Sequence, residues 1–210
     1  MTRLIWSNDR SGSPDLPADL PAGHLPADAD RRGIGWRAIR AGNKAPDFCL
    51  TDQHRHRVTL SELLRRGAVV VRFCRNENTA TCIREFSSLS ALHNAIERSG
   101  ATLVVIAVEP FNPHPLGKDP GSFPFPILPD KKGDVAQSYG LTYQVPTPRG
   151  LDINDANGTA KRAREIMSAP ATYVIDQTGL VALGFVDVAC RSVMDHGQIL
   201  TALECLRRRK

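Results

Sequence analysis

The sequence lacks any apolar run approaching the roughly 18 residues of a membrane-spanning helix. Its start, Met1-Thr2-Arg3-Leu4-Ile5-Trp6-Ser7-Asn8-Asp9, reaches charge and polarity too early for the core of a signal peptide. Both absences predict a cytoplasmic protein that does not enter a membrane. There is no CxxC pair and no zinc-finger spacing, because the five cysteines stand at 49, 74, 82, 190 and 205. In a reducing compartment they are expected as mostly free thiols. Motifs for haem, flavin or metal are missing, so no bound cofactor is expected. His54 and His56 alternate across a turn without a third ligand and read as surface side chains. The net charge of +5 arises from 27 basic against 22 acidic residues, with much of the excess at Arg207, Arg208, Arg209 and Lys210. A basic run that closes a helix complements its dipole, so no nucleic-acid partner is implied.

What the chain does have is a β-branched run, Val69-Val70-Val71-Arg72-Phe73, followed by a polar turn and then a helical pattern through Phe86, Leu89, Leu92, His93 and Ile96. Cys82 stands at the head of that helix. The unpaired N–H groups and positive dipole end found there favour thiolate over thiol, and cysteines so placed fall from a pKa of about 8.5 towards roughly 3.5 to 7.5. Thr79 and Thr81 offer capping hydroxyls. A buried structural cysteine is the other reading of this segment alone.

Residues 1–40 read as an extended, proline-rich N-terminal arm, since Pro14, Pro17, Pro21 and Pro26 deny it both ladder and helix. Ile34, Trp36 and Ile39 are positioned to dock on the domain or on a neighbouring subunit. The domain spans 41–210. It opens with a hairpin around Gln53–Arg57 and a short helix at Ser61–Arg65, in which Cys49 falls on an apolar strand and is expected in the core, as is Cys74 on the strand before Cys82. The apolar run Ala101–Val108 predicts a strand buried on both faces, parallel to the first. A proline-rich loop, the segment Ile127-Leu128-Pro129-Asp130 and a helix from Asp134 closed by Gly140 follow. Residues 144–168 read as an inserted loop, and then come a hairpin over Pro170–Asp187 and a terminal helix through Ile199, Leu200, Leu203 and Leu206.

This order, with a cysteine heading the first long helix, resembles the thioredoxin fold, an α/β fold with a central mixed sheet flanked by helices. The motifs resemble its peroxiredoxin branch, the alkyl hydroperoxide reductase and thiol-specific antioxidant family, over roughly residues 40 to 206. Gly42-x-x-Ala45-Pro46-Asp47-Phe48, the loop from Phe73 to Cys82, Phe125-Pro126-Ile127-Leu128-Pro129-Asp130 and Tyr173-Val174-Ile175-Asp176-Gln177-Thr178-Gly179 carry the likeness. The family pattern PxxxTxxC has Arg75, Thr79 and Cys82 at its places here, and Glu85 matches a common acid of the family.

The resemblance implies that Cys82 is the peroxidatic thiolate and Thr79 the hydroxyl that orients it. The chain departs from the pattern where Arg75 replaces the motif proline and Pro170 replaces an arginine before the fviD-like strand. Pro170 is similar to the cis-proline that packs against the catalytic cysteine in thioredoxins. Arg75 is then a candidate for the missing cation, and Arg191 is a weaker one. Cys190 and Cys205 are candidates to resolve an oxidised Cys82, unless an external thiol does so. The implied activity is thiol-dependent reduction of hydrogen peroxide or alkyl hydroperoxides. The implied partners are a thioredoxin-like protein or low-molecular-weight thiol as reductant, and a second copy in a homodimer. The alternatives are a monothiol disulfide oxidoreductase and a catalytically silent redox-sensing or binding module.

Overall fold

The computed structural model describes residues 4–7, 34–74, 80–108, 123–146, 152–154, 160–162, 164–187 and 194–208. Strands β1 (Leu4–Ser7), β4 (Ala68–Cys74), β5 (Ala101–Val108), β6 (Ile127–Asp130), β11 (Ala171–Ile175) and β12 (Val181–Val186) form one mixed sheet in the order β1-β12-β11-β4-β5-β6. Two outlying hairpins are β2 (Cys49–Thr51) with β3 (Arg57–Thr59), and β8 (Asp152–Asn154) with β9 (Ala160–Arg162). A third antiparallel pair joins β7 (Thr142–Pro146) to β10 (Arg164–Ser168). The helices are α1 (Ile34–Arg37), α2 (Leu60–Leu64), α3 (Ala80–Arg98), α4 (Asp134–Ser138) and α5 (His196–Arg208).

β4 is the axis of the sheet. It pairs parallel with β5 from Ala68↔Ala101 to Cys74↔Ala107, and antiparallel with β11 from Ala171↔Phe73 to Ile175↔Val69. Its valines suit this place, because β-branched side chains fit a pleated surface packed on both faces. Alternation sends Val69, Val71 and Phe73 into one core and Val70 and Cys74 into the other. The first core is closed by Ile34, Phe48, Leu60, Tyr139, Tyr143 and Met167. The second is closed by Phe86, Leu89, Leu92 and Ile96 of α3 and by Ile199 and Leu203 of α5. The three- and four-residue spacing of these side chains marks the buried stripe of each helix.

Three regions differ from the sequence expectations. Leu4–Ser7, inside the segment read as an arm, adds an edge strand antiparallel to β12, whereas Ile34 docks on the domain, one of the two places expected for it, and lies with Ala38 in the first core. A four-residue strand carries too little pattern to be read before the edge it joins is known. The arm's residues 1–3 and 8–33 lie outside the described residues. The span read as an inserted loop contributes β10, whose Met167 faces Tyr143 of β7 and is buried with it. Cys49, expected in the core, is exposed, because Phe48 takes the buried face beside it.

Two glycines are fixed by geometry. Gly179 turns β11 into β12 with φ +84°, while Asp176 Oδ1 accepts from the Thr178 and Leu180 N–H groups. Gly140 closes α4 with φ +71° and lies directly against the backbone carbonyl of Arg37, where a Cβ would collide. Gly140→Ala adds the left-handed penalty to that collision and is expected to destabilise the fold by ~2 kcal/mol or more. Chemical unfolding would check this, with a loss under half that size counting against the packing described.

Candidate functional site

β4 ends at Cys74, and the chain re-enters a helix at Ala80. Cys82 therefore lies in the first turn of α3, one turn before Phe86, whose side chain is buried in the same core as Cys74. Glu85 follows on the next turn of the same helix. Arg75, Thr79, Cys190 and Arg191 lie outside the described residues.

The end of the sheet where β4 finishes carries buried polarity. Arg72 is 1% exposed, Thr172 2% and Asp187 1%, three of the few polar side chains buried in the chain's described residues. Arg72 and Thr172 are direct cross-strand partners, and Arg72 Nη1–H donates to Thr172 Oγ1 at 2.9 Å. By alternation Arg72 shares the face of Val70 and Cys74, the face that α3 and α5 cover. Pro170, buried just before β11, accepts from the Asp187 N–H at 2.9 Å, which ties the start of β11 to the end of β12. Ser88 of α3 and His196 at the start of α5 meet at 3.0 Å between Oγ and Nε2, joining the two covering helices.

Beneath the other face, Phe73, Tyr139 and Tyr173 form an aromatic cluster with ring centroids 4.9 to 6.1 Å apart. Burial pushes both tyrosine phenols well above their ordinary range, so both are neutral. Tyr139 uses its hydroxyl to donate to the Pro46 carbonyl at 3.0 Å, which fastens the Ala45-Pro46-Asp47 segment under the sheet.

The sequence reading did not single out Arg72, Thr172 or Asp187. Arg72 had a legible signal, since an arginine inside a β-branched run of a two-sided strand has to be buried. Thr172 and Asp187 had none, because their proximity depends on strand pairing. Of the remaining thiols, Cys74 is buried and Cys205 is exposed on α5. Cys49 receives a hydrogen bond from Arg57 Nε at 2.7 Å, and that guanidinium, with help from the Thr59 hydroxyl, holds its thiol below the ordinary value. Among the described residues no group of three metal-ligating side chains comes together.

A family model described as the AhpC/TSA family matches residues 41–183. Alkyl hydroperoxide reductase E of Mycobacterium tuberculosis is 28% identical over 145 residues, covering 68% of this chain and 82% of that protein. The chloroplastic peroxiredoxin Q of Oryza sativa subsp. japonica is 27% identical over 157 residues. That match covers 75% of this chain, which spans only 64% of the length of the rice protein. The crystal structure of peroxidoxin BcpB from Mycobacterium tuberculosis aligns with a TM-score of 0.57 at 27% identity, covering 81% of this chain and 97% of that one. Mycobacterium tuberculosis AhpC aligns at 0.59 over 82% and 96%, and at 17% identity this shows the shared fold alone. The architecture is thus the thioredoxin-like α/β fold, its mixed sheet covered by helices.

The Cys49 environment makes a separate prediction. Because a cation lowers its pKa, Cys49 is ionised at lower pH than an ordinary thiol, and Arg57→Met should move the midpoint of its alkylation to higher pH. Peptide-resolved labelling with iodoacetamide across pH 6 to 10 would measure this. Since the pair is exposed, the shift should shrink as salt is raised.

Proposed function

This chain belongs to the AhpC/TSA family, and we propose that it is a thiol-dependent peroxidase in which Cys82 is the reacting cysteine. The observation that carries this is the helix α3 itself, which holds position 82 in the first turn of its 19 residues. N–H groups at such a helix start have no intrahelical acceptor and stabilise negative charge on sulfur. No second cysteine stands three residues before it, where Thr79 is found instead, so the dithiol exchange of a CxxC site is not available to it.

The Cys82 thiolate attacks one oxygen of a hydroperoxide. A sulfur–oxygen bond forms as the oxygen–oxygen bond breaks, leaving the sulfenic acid and an alkoxide or hydroxide that takes a proton from solvent. One thiol then condenses with the sulfenic acid to a disulfide and releases water, and a second thiol attacks that disulfide to return Cys82. The sum is one hydroperoxide and two thiols converted to one alcohol, one water and one disulfide. Thr79 orients the sulfur and the peroxide, Arg75 or Arg191 lends positive charge to the leaving oxygen, and Glu85 and Pro170 shape the site around them. Cys190 or Cys205 supplies the first thiol unless an external one does, and a thioredoxin-like protein or small thiol supplies the remainder. The exposed Cys205 thiol is compatible with that role.

A homodimer acting in the cytoplasm completes the proposal. A reducing compartment suits Cys49, Cys74 and Cys205, none of which forms a disulfide. Among the described residues no helix is long and apolar enough to cross a membrane.

Stopped-flow mixing of the reduced protein with hydrogen peroxide tests the assignment. Cys82 should react orders of magnitude faster than free cysteine, Cys82→Ser should abolish the fast phase, and Thr79→Val should slow it roughly 10²-fold, the usual loss when one preorganised hydrogen bond in a site is removed. A wild-type rate equal to that of free cysteine would refute peroxidase activity.

A further inference from the structure

We propose that the cleft between α1, α4 and the β7–β10 ribbon binds a small monocarboxylate with an aliphatic chain, the carboxylate on Lys132 and Gln137 and the chain on Ile166. None of the described residues lining this cleft lies on α3. Its walls cover the first core, whereas α3 covers the second, and binding here owes nothing to the reaction proposed for Cys82.

The cleft holds about 410 Å³, a volume within the range of small-molecule sites. Backbone contacts set its walls. Gly140, at φ +71°, brings the end of α4 against the Arg37 carbonyl, and the Ile39 N–H donates to the Tyr139 carbonyl at 3.2 Å. Arg37 reaches through Nη2 to the Thr142 carbonyl at 3.1 Å, which ties α1 to β7. On the ribbon, Tyr143 and Met167 turn into the core, so Gln144 and Ile166, direct cross-strand partners, turn outward. Ile166 is 45% exposed, one of two large hydrophobic side chains left exposed among the described residues, and it gives the cleft its aliphatic surface.

The chemistry of the lining selects the ligand. Among the described residues no carboxylate lines the cleft, so a cation finds no counter-charge there. Lys132 and Gln137 line it with side chains that make no hydrogen bond or ion pair within the protein. The ammonium supplies charge and the amide supplies N–H donors, and a carboxylate can accept from both. What separates this place from an ordinary solvated lysine is the exposed Ile166 in the same lining. A small inorganic anion would leave Ile166 in water, and an aliphatic alcohol would leave the ammonium without a counter-charge. A monocarboxylate with an aliphatic chain answers both. Because the polar contacts are solvated, an exposed ion pair adds little and the affinity is roughly millimolar.

Octanoate is the probe, titrated into the full-length protein and followed through backbone-amide and isoleucine-methyl NMR signals. Saturable shifts should be confined to Gly133, Gly140, Thr142, Gln144 and the Ile166 methyls. Lys132→Met and Ile166→Ser alter exposed positions and leave both cores untouched, so each should keep a folded spectrum while weakening octanoate about 3- to 5-fold. Raising salt to about 0.5 M should weaken binding to the wild type and leave Lys132→Met little changed. Acetate, which lacks the chain, and octanol, which lacks the charge, should each bind more weakly than octanoate by at least the same factor. Absence of saturable shifts at the cleft, shifts spread over the whole surface, octanol binding as well as octanoate, or an unchanged affinity in either variant would each overturn the site.

Discussion

The two-sided hydrogen bonding of β4 is the constraint on which the rest depends. With β5 parallel on one edge and β11 antiparallel on the other, its backbone groups are paired along its length. Only such a strand can be apolar on both faces without leaving buried polar backbone unsatisfied. The parallel partner demands a crossover, and that crossover is α3. The antiparallel partner places the start of β11, with Pro170 and Thr172, beside the end of β4. One strand therefore fixes its neighbours on both edges and the crossover that follows it.

Much of this was legible before any coordinates. The runs 69–73 and 101–108 announce buried strands because nothing polar alternates with the valines, save Arg72. The stripe Phe86, Leu89, Leu92 and Ile96 announces α3 in the same way. What could not be read was pairing at a distance. Tyr143 and Met167 face each other across a polar stretch, and each alone resembles a stray apolar residue in a loop. Cys49 was misjudged by a single step of alternation, since β-strand neighbours point to opposite faces. The site was legible unevenly. Position 82 follows from helix physics, whereas the roles of Thr79, Arg75 and Arg191 follow only from resemblance. The cross-strand bond from Arg72 to Thr172 needs the register of β4 against β11, which no local pattern encodes.

Sulfur chemistry is distributed unequally over this fold. Cys74 is close to Cys82 in sequence yet sealed in the core, where a thiol behaves as a small hydrophobe. Cys49 is exposed and held by Arg57 on a hairpin outside the main sheet. Cys205 is exposed on the terminal helix. Burial and local charge, not the number of cysteines, separate a thiol suited to reaction from one suited to packing.

The hairpin that carries Cys49 also finishes the sheet. Gln53 donates through Nε2 to the Phe125 carbonyl at 3.0 Å and accepts through Oε1 from the Ile127 N–H at 2.7 Å. A primary amide with one donor and one acceptor side by side reproduces the hydrogen-bonding pattern of a peptide unit. Gln53 is in effect a strand one residue long, laid along the outer side of β6. The opposite margin is finished differently, by the short backbone segment Leu4–Ser7. The sheet is consequently polar in its growth: a foreign strand arriving at β6 must expel a side chain rooted in a folded hairpin, whereas one arriving at β12 need only outcompete four residues near the chain's beginning.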